Sequence, residues 1–104
     1  MPLYKHHELK TDPDVFQASE AGVKPWEIRR DDRVFQVGDL VTLRETKHTG
    51  EAMKFGGAPL EYTGREREGR IAYIMHGPHY GLARGWCIFS LVEDVRCSFT
   101  LSTG

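Results

Sequence analysis

The stretch Gly22–Leu43, GVKPWEIRRDDRVFQVGDLVTL, limits the fold more than any other part of this chain. Gly22 takes positive φ without strain, so it is a natural end for a preceding helix. Pro25 then prevents the helix from resuming, because the residue before a proline is pushed out of the α region. From Trp26 the period switches to two: Trp26, Ile28 and Arg30 project one way, Glu27, Arg29 and Asp31 the other. Val37-Gly38-Asp39 reads as a tight turn, with glycine supplying the permissive backbone. Leu40 to Arg44 alternates again as a strong strand. A helix stop, a strand, a turn and a second strand in so short a span commit the chain to a sheet carrying a helix.

The flanking sequence fits this frame. Asp12 can cap, Pro13 suits the first helical turn and Asp14 favours the positive end of the dipole, so the pattern predicts a helix over 13–21 with Phe16, Ala18 and Ala21 as its apolar stripe. Residues 3–9 alternate weakly as a first strand, and 33–36 form a short extended piece. Residues 45–59 have no period and hold Gly50, Gly56 and Gly57, which predicts a loop, with 46–58 as the most mobile internal segment. Residues 61–75 read as a long strand bent at Gly69, 76–85 as a second irregular loop, 86–92 as a buried strand and 95–101 as a final strand. One helix with five or six strands predicts an α+β, mainly β fold: a small, mostly antiparallel barrel rather than a parallel α/β sheet.

The 104 residues make one domain, 1–104, large enough to bury about two-thirds of its unfolded surface. The net charge of −1 does not advertise nucleic-acid binding, so any such role must come from local clustering. No apolar run approaches the roughly 18 residues of a membrane span. The polar start MPLYKHHELK lacks the apolar core of a signal peptide, so the chain reads as intracellular and cytoplasmic. Cys87 and Cys97, in apolar runs without C-x-x-C spacing, read as buried free thiols.

Two kinds of chemistry suggest themselves. Five histidines invite a metal. Yet His6 and His7 are adjacent on a strand and face opposite ways, and His76 and His79 lie in a Gly/Pro loop without a nearby acidic or thiol partner, so no metal or other cofactor is expected. The better candidate is the charged run, in which Lys24, Arg29, Arg30 and Arg33 surround Glu27. A partly desolvated Lys24 can act as a base and Glu27 can carry its proton, making these two the candidate catalytic residues. Arg29 and Arg33 can clamp a phosphate with bidentate hydrogen bonds. Trp26, Tyr62, Tyr80 and Trp86 are available to stack on bases. The competing reading is a structural salt bridge between Lys24 and Glu27 within a solvated strand face.

Taken together, several segments resemble a small ASCH-like family of unknown function found in bacteria and their phages. They are H-E-L-K (His7–Lys10), the helix with Phe16, G-x-K-P-x-E-I-R (Gly22–Arg29), D-D-R-x-F-x-V-G-D (Asp31–Asp39), L-R-E (Leu43–Glu45) and Y-T-G-R-E (Tyr62–Glu66). The resemblance covers roughly residues 6–92. The ASCH group is similar to the PUA domain of RNA-modifying enzymes, which implies a β-barrel with a helix beside a cleft and a role in binding RNA or a nucleotide. Some ASCH proteins are amidohydrolases that deacylate acetylated cytidine through a G-x-K-x-x-T-x-R motif, with the lysine and threonine catalytic and a distant glutamate assisting. Gly22, Lys24 and Arg29 match that motif, while Glu27 stands at the threonine position and the hydroxyl is missing.

The leading expectation is therefore an RNA- or nucleotide-binding cleft, with Lys24 and Glu27 at its centre and Lys10, Arg29, Arg33, Tyr62 and Arg65 as further ligand-binding residues. The alternatives are a hydrolase acting on a modified nucleoside, and an accessory protein that meets a protein partner through the 46–58 and 76–85 loops.

Overall fold

A computed structural model describes residues 3–93. The expected strand over 95–101 and Cys97 lie outside the described residues. The elements run β1 (His6–Thr11), α1 (Pro13–Glu20), β2 (Trp26–Arg30), β3 (Leu40–Thr46), α2 (Gly50–Phe55), β4 (Tyr62–His76) and β5 (Trp86–Val92). All five strands join one curled sheet in the order β1-β3-β4-β5-β2, a half-barrel with two short helices. The β3–β4, β4–β5 and β5–β2 pairs are antiparallel, whereas β1 lies parallel to β3.

The curl comes from β4. Its first half pairs with β3 up to Arg70, and its second half, from Arg70 to His76, pairs with β5. Two register shifts fall along it. One lies opposite Arg44–Thr46, where Gly64 takes φ +94°; the other falls at Ile71–Tyr73. Extra residues on one strand of a pair bend it and increase its twist. The irregularity thus falls at 71–73, beyond the expected bend at Gly69.

Inward residues of β1, β3, β4 and β5 meet Phe16 of α1 and Phe35 in one core: Leu9, Phe16, Phe35, Val41, Leu43, Ile71, Cys87 and Phe89. Helix α1 enters it through Phe16, which is fully buried. Its end is built as expected. Gly22 takes φ +79° and donates to the Ser19 carbonyl, and the amides of Val23 and Lys24 both donate to the Ala18 carbonyl.

Two expectations change. Residues 45–59 are not one loop: β3 runs to Thr46 and α2 follows. The Thr49 hydroxyl accepts from the Ala52 amide at 3.0 Å, and the Asp12 carboxylate accepts from the Gly50 amide at 2.8 Å. A six-residue helix that buries no side chain leaves no apolar period to read, so capping alone marks it. Residues 33–36 form no strand; Val34 takes φ +51° there.

The V-G-D turn does more than reverse the chain. Asp39 is fully buried; its carboxylate accepts from the Lys5 and Gln36 amides at 3.1 and 3.0 Å and meets His7 Nε2 at 2.8 Å. The His7 ring also lies 4.6 Å from that of Phe35, centroid to centroid. This knot ties the start of β1 to the start of β3.

Candidate functional site

β1 and β2 are the two edges of the sheet, and the curl brings them face to face. No backbone ladder joins them; side chains span the gap. Arg29 on β2 donates from Nη1 to the Lys10 carbonyl on β1 at 3.1 Å and from Nη2 to the Thr11 hydroxyl at 3.4 Å. Farther along, Arg33 Nη1 donates to the Glu8 carbonyl at 2.7 Å. These contacts satisfy edge carbonyls that would otherwise face the gap.

Glu27 sits beneath this seam, 2% exposed. Both its oxygens are engaged. Oε2 accepts from Lys24 Nζ at 2.6 Å; Oε1 accepts from Arg29 Nε and Nη2 at 3.1 and 2.9 Å. Lys24 Nζ also donates to the Trp26 carbonyl at 2.7 Å and lies 4.7 Å from the Trp26 ring centroid. Local chain geometry explains the convergence. The end of α1 holds the Lys24 amide, and the Pro25 carbonyl accepts from Leu91, which starts β2 on the β5 ladder. Residues two apart on β2 then send Glu27 and Arg29 inward together.

A cleft of about 280 Å³ opens over this group, lined by Lys10, Thr11 and Asp12 from β1 and its end, Val15 of α1, Lys24, and Trp26 to Arg29 of β2. A helix therefore does stand beside the cleft. A second cavity of about 160 Å³ is lined by Leu9, Arg29, Arg30, Asp32, Arg33 and Phe35.

Of the expected site residues, Lys10, Lys24, Glu27 and Arg29 line the cleft together, while Arg33 lines the second cavity. Tyr62 and Arg65 lie outside the lining of both. They belong to β4, inside the sheet, whereas the cleft belongs to its edges. Tyr62 lies under the Arg44 guanidinium, 3.7 Å from it, and Arg65 pairs with Glu20 and Glu45. Sequence reasoning did not bring Thr11, Asp12 and Val15 to the cleft. Their position at the start of α1, next to Lys10, was the available signal.

His76 has the acidic neighbour that the sequence did not show: its Nδ1 lies 3.1 Å from Asp31 Oδ2 across the sheet. Among the described residues no group of three or more His, Cys, Asp or Glu side chains is arranged to hold a metal. Cys87 is buried, and its thiol is pushed up to about 11 by burial first and then by the charges of Asp31 and Asp32. It stays protonated at neutral pH, which disfavours nucleophilic use. No helix among the described residues is long and apolar enough to cross a membrane.

A family model described as a domain of unknown function, DUF3850, matches residues 6–91, from the first strand to the last described one. The chain belongs to the DUF3850 family. No curated protein matches it. The DUF3850 match spans both edge strands and every residue of the cleft.

Proposed function

We propose that the cleft between the sheet edges binds RNA or a nucleotide. The observation that carries this reading is the division of labour among its cations. Lys24 and Arg29 are committed to Glu27, while Lys10, one of the residues that line the cleft, is exposed and its side chain has no hydrogen-bond or ion-pair partner among the described residues. A cation left unpaired beside a neutralised group is free to meet a phosphate. Trp26, 42% exposed on the cleft wall, offers a ring for a base. The volume suits a single nucleotide unit better than a duplex. The resemblance to ASCH and PUA-like domains supports the same class of ligand.

The test is titration of a short single-stranded RNA at several salt concentrations, followed by tryptophan fluorescence. Lys10→Ala is expected to weaken binding and lower the salt slope by roughly 0.7–1, the share of one phosphate contact, with an unchanged melting temperature. Equal affinity and slope in the variant and the parent would overturn the reading.

A second reading rests on the 2.6 Å contact between Lys24 and the buried Glu27. A lysine that can exchange a proton with a carboxylate inside a cleft has the parts of an acid–base pair for hydrolysing a modified nucleoside. Turnover of an acylated cytidine that is lost in Glu27→Gln would favour this reading. With no hydroxyl at position 27, water would have to be the nucleophile.

A further inference from the structure

The outer face of the sheet has two different halves. Over β1, β3 and the first half of β4 it is polar: Arg44 pairs with Glu66 and Glu8, and the Thr42 hydroxyl meets His6 Nε2 at 2.7 Å. Over β2, β5 and the second half of β4 it is apolar. Glu27 and Arg29 point inward beside Phe89 and Cys87, so the residues that alternate with them point outward. The register sets these in three rows. Trp26 lies beside Ser90, and Ser90 beside Tyr73. Ile28, Ile88 and Met75 form the middle row, and Arg30 lies beside Trp86 in the third. Trp26, Ile28 and Tyr73 are 42%, 45% and 67% exposed. The one charged residue in these rows is Arg30, whose guanidinium lies 5.4 Å from the Trp86 ring centroid. It has no hydrogen bond or ion pair among the described residues, and neither has exposed Arg84, two residues before Trp86.

We propose that this outer face is a stacking platform for a single nucleic-acid strand, RNA on the reading above. Bases lie on Trp26, on Tyr73 and on the Arg30 guanidinium that Trp86 supports, with phosphates near Arg30 and Arg84. This rests on the nucleotide reading of the cleft and extends it from one unit to a strand. Trp26 borders the cleft, so a strand seated there passes directly onto the face. Chemistry selects the occupant. Rings and guanidinium planes side by side on a sheet take the π-face of any base. Two unpaired cations, with no carboxylate in the rows, match a polyanion. Size points the same way. The rows span roughly 10 Å across three strands and about 13 Å along β2, a footprint of a few bases. A stable protein interface needs about 800 Å² on each partner, which is several times larger.

The test titrates uridine 5′-monophosphate and single-stranded octauridine into the intact chain. Octauridine is expected to bind about tenfold tighter or better. Tyr73→Ala should weaken octauridine about tenfold, the loss of one stacked base, and leave the monophosphate unchanged. Tyr73→Phe keeps the ring and should retain the parent's affinity. Arg30→Ala should lower the octauridine salt slope by about 0.7, and equal slopes would overturn the phosphate contact. Tyr73 and Arg30 are exposed, so thermal melts of these variants should match the parent. Octauridine binding unchanged in Tyr73→Ala overturns the platform and leaves the cleft reading standing, as does equal affinity for the two probes. A Tyr73→Phe variant as weak as Tyr73→Ala overturns stacking as its basis. Failure of both probes to bind the parent overturns the nucleotide reading itself. Self-association of the parent that Tyr73→Ala abolishes, with octauridine affinity unchanged, would give the face to a second copy of the chain.

Discussion

Glu27 is the residue on which the seam turns. A buried carboxylate is tolerated only if its charge is matched, and here Lys24 takes one oxygen and Arg29 the other. Arg29 matters twice over, because the same guanidinium holds the Lys10 carbonyl on the opposite edge. Removing it strands half of the Glu27 charge and opens the seam. Arg29→Ala is therefore expected to cost about 3 kcal/mol, the lower end for breaking a buried pair, since Lys24 stays on Oε2. Urea unfolding of Arg29→Ala beside Lys10→Ala checks this: the first should lose a large part of its stability, the second less than about 0.5 kcal/mol. Equal stabilities would make Arg29 a ligand-binding residue rather than scaffold.

At the scale of elements, the two helices are held by different physics. α1 is anchored by Phe16 in the core, whereas α2 buries no side chain and depends on its caps. Thr49 closes the first turn of α2, and Asp12, the residue before α1, reaches across to the Gly50 amide. Thr49→Ala should cost about 1 kcal/mol, and the loss should stay local. Amide exchange at Met53 and Gly56, whose hydrogen bonds return to Thr49 and Ala52, should speed up about fivefold while the melting temperature holds. A global drop in melting temperature would mean that α2 is coupled to the sheet more tightly than its exposure indicates.

Across the whole molecule, Asp39 links the N-terminal strand to the sheet and makes stability depend on acid. Burial alone pushes its carboxyl up, but the His7 hydrogen bond, the Lys5 and Gln36 amides and the His7 charge together outweigh burial and hold it below its ordinary 3.8. The unfolded chain then binds this proton more readily than the folded one. The stabilisation is fully present above about pH 4 and is lost as the pH falls through the lower folded value. Melting temperatures measured between about pH 5 and pH 2 should fall for the parent chain and fall less steeply for Asp39→Asn. Parallel curves would show that Asp39 is not the linked group.

Local signals in the chain marked α1, β2 and β3 but missed α2 and misread residues 33–36. The expected Asp12 cap did not form, since its carboxylate serves the Gly50 amide and makes no capping bond to α1. Pro13 and the Gly22 stop bound α1, and the switch to period two placed β2 and β3, because prolines, glycines and alternation act over a few residues. The convergence of Glu27 and Arg29 was legible for the same reason, being a property of a single strand. Contacts between distant segments were not. That β1 would run parallel to β3, that Asp39 would close on His7, or that His76 would meet Asp31 depended on which strands became neighbours, and alternation is silent on neighbours. The site divided along the same line. Tyr62 and Arg65 matched the pattern of a binding residue, yet the sheet order put them on β4, away from the edges. Arg29 reached the Lys10 carbonyl only because the curl of β4 brought the two edges together, while the Lys10 side chain was left without a hydrogen-bond or ion-pair partner among the described residues. Charge type is carried by the sequence, but whether a charge is spent inside the fold or left for a ligand is decided by packing, since only packing sets which groups lie within hydrogen-bonding distance.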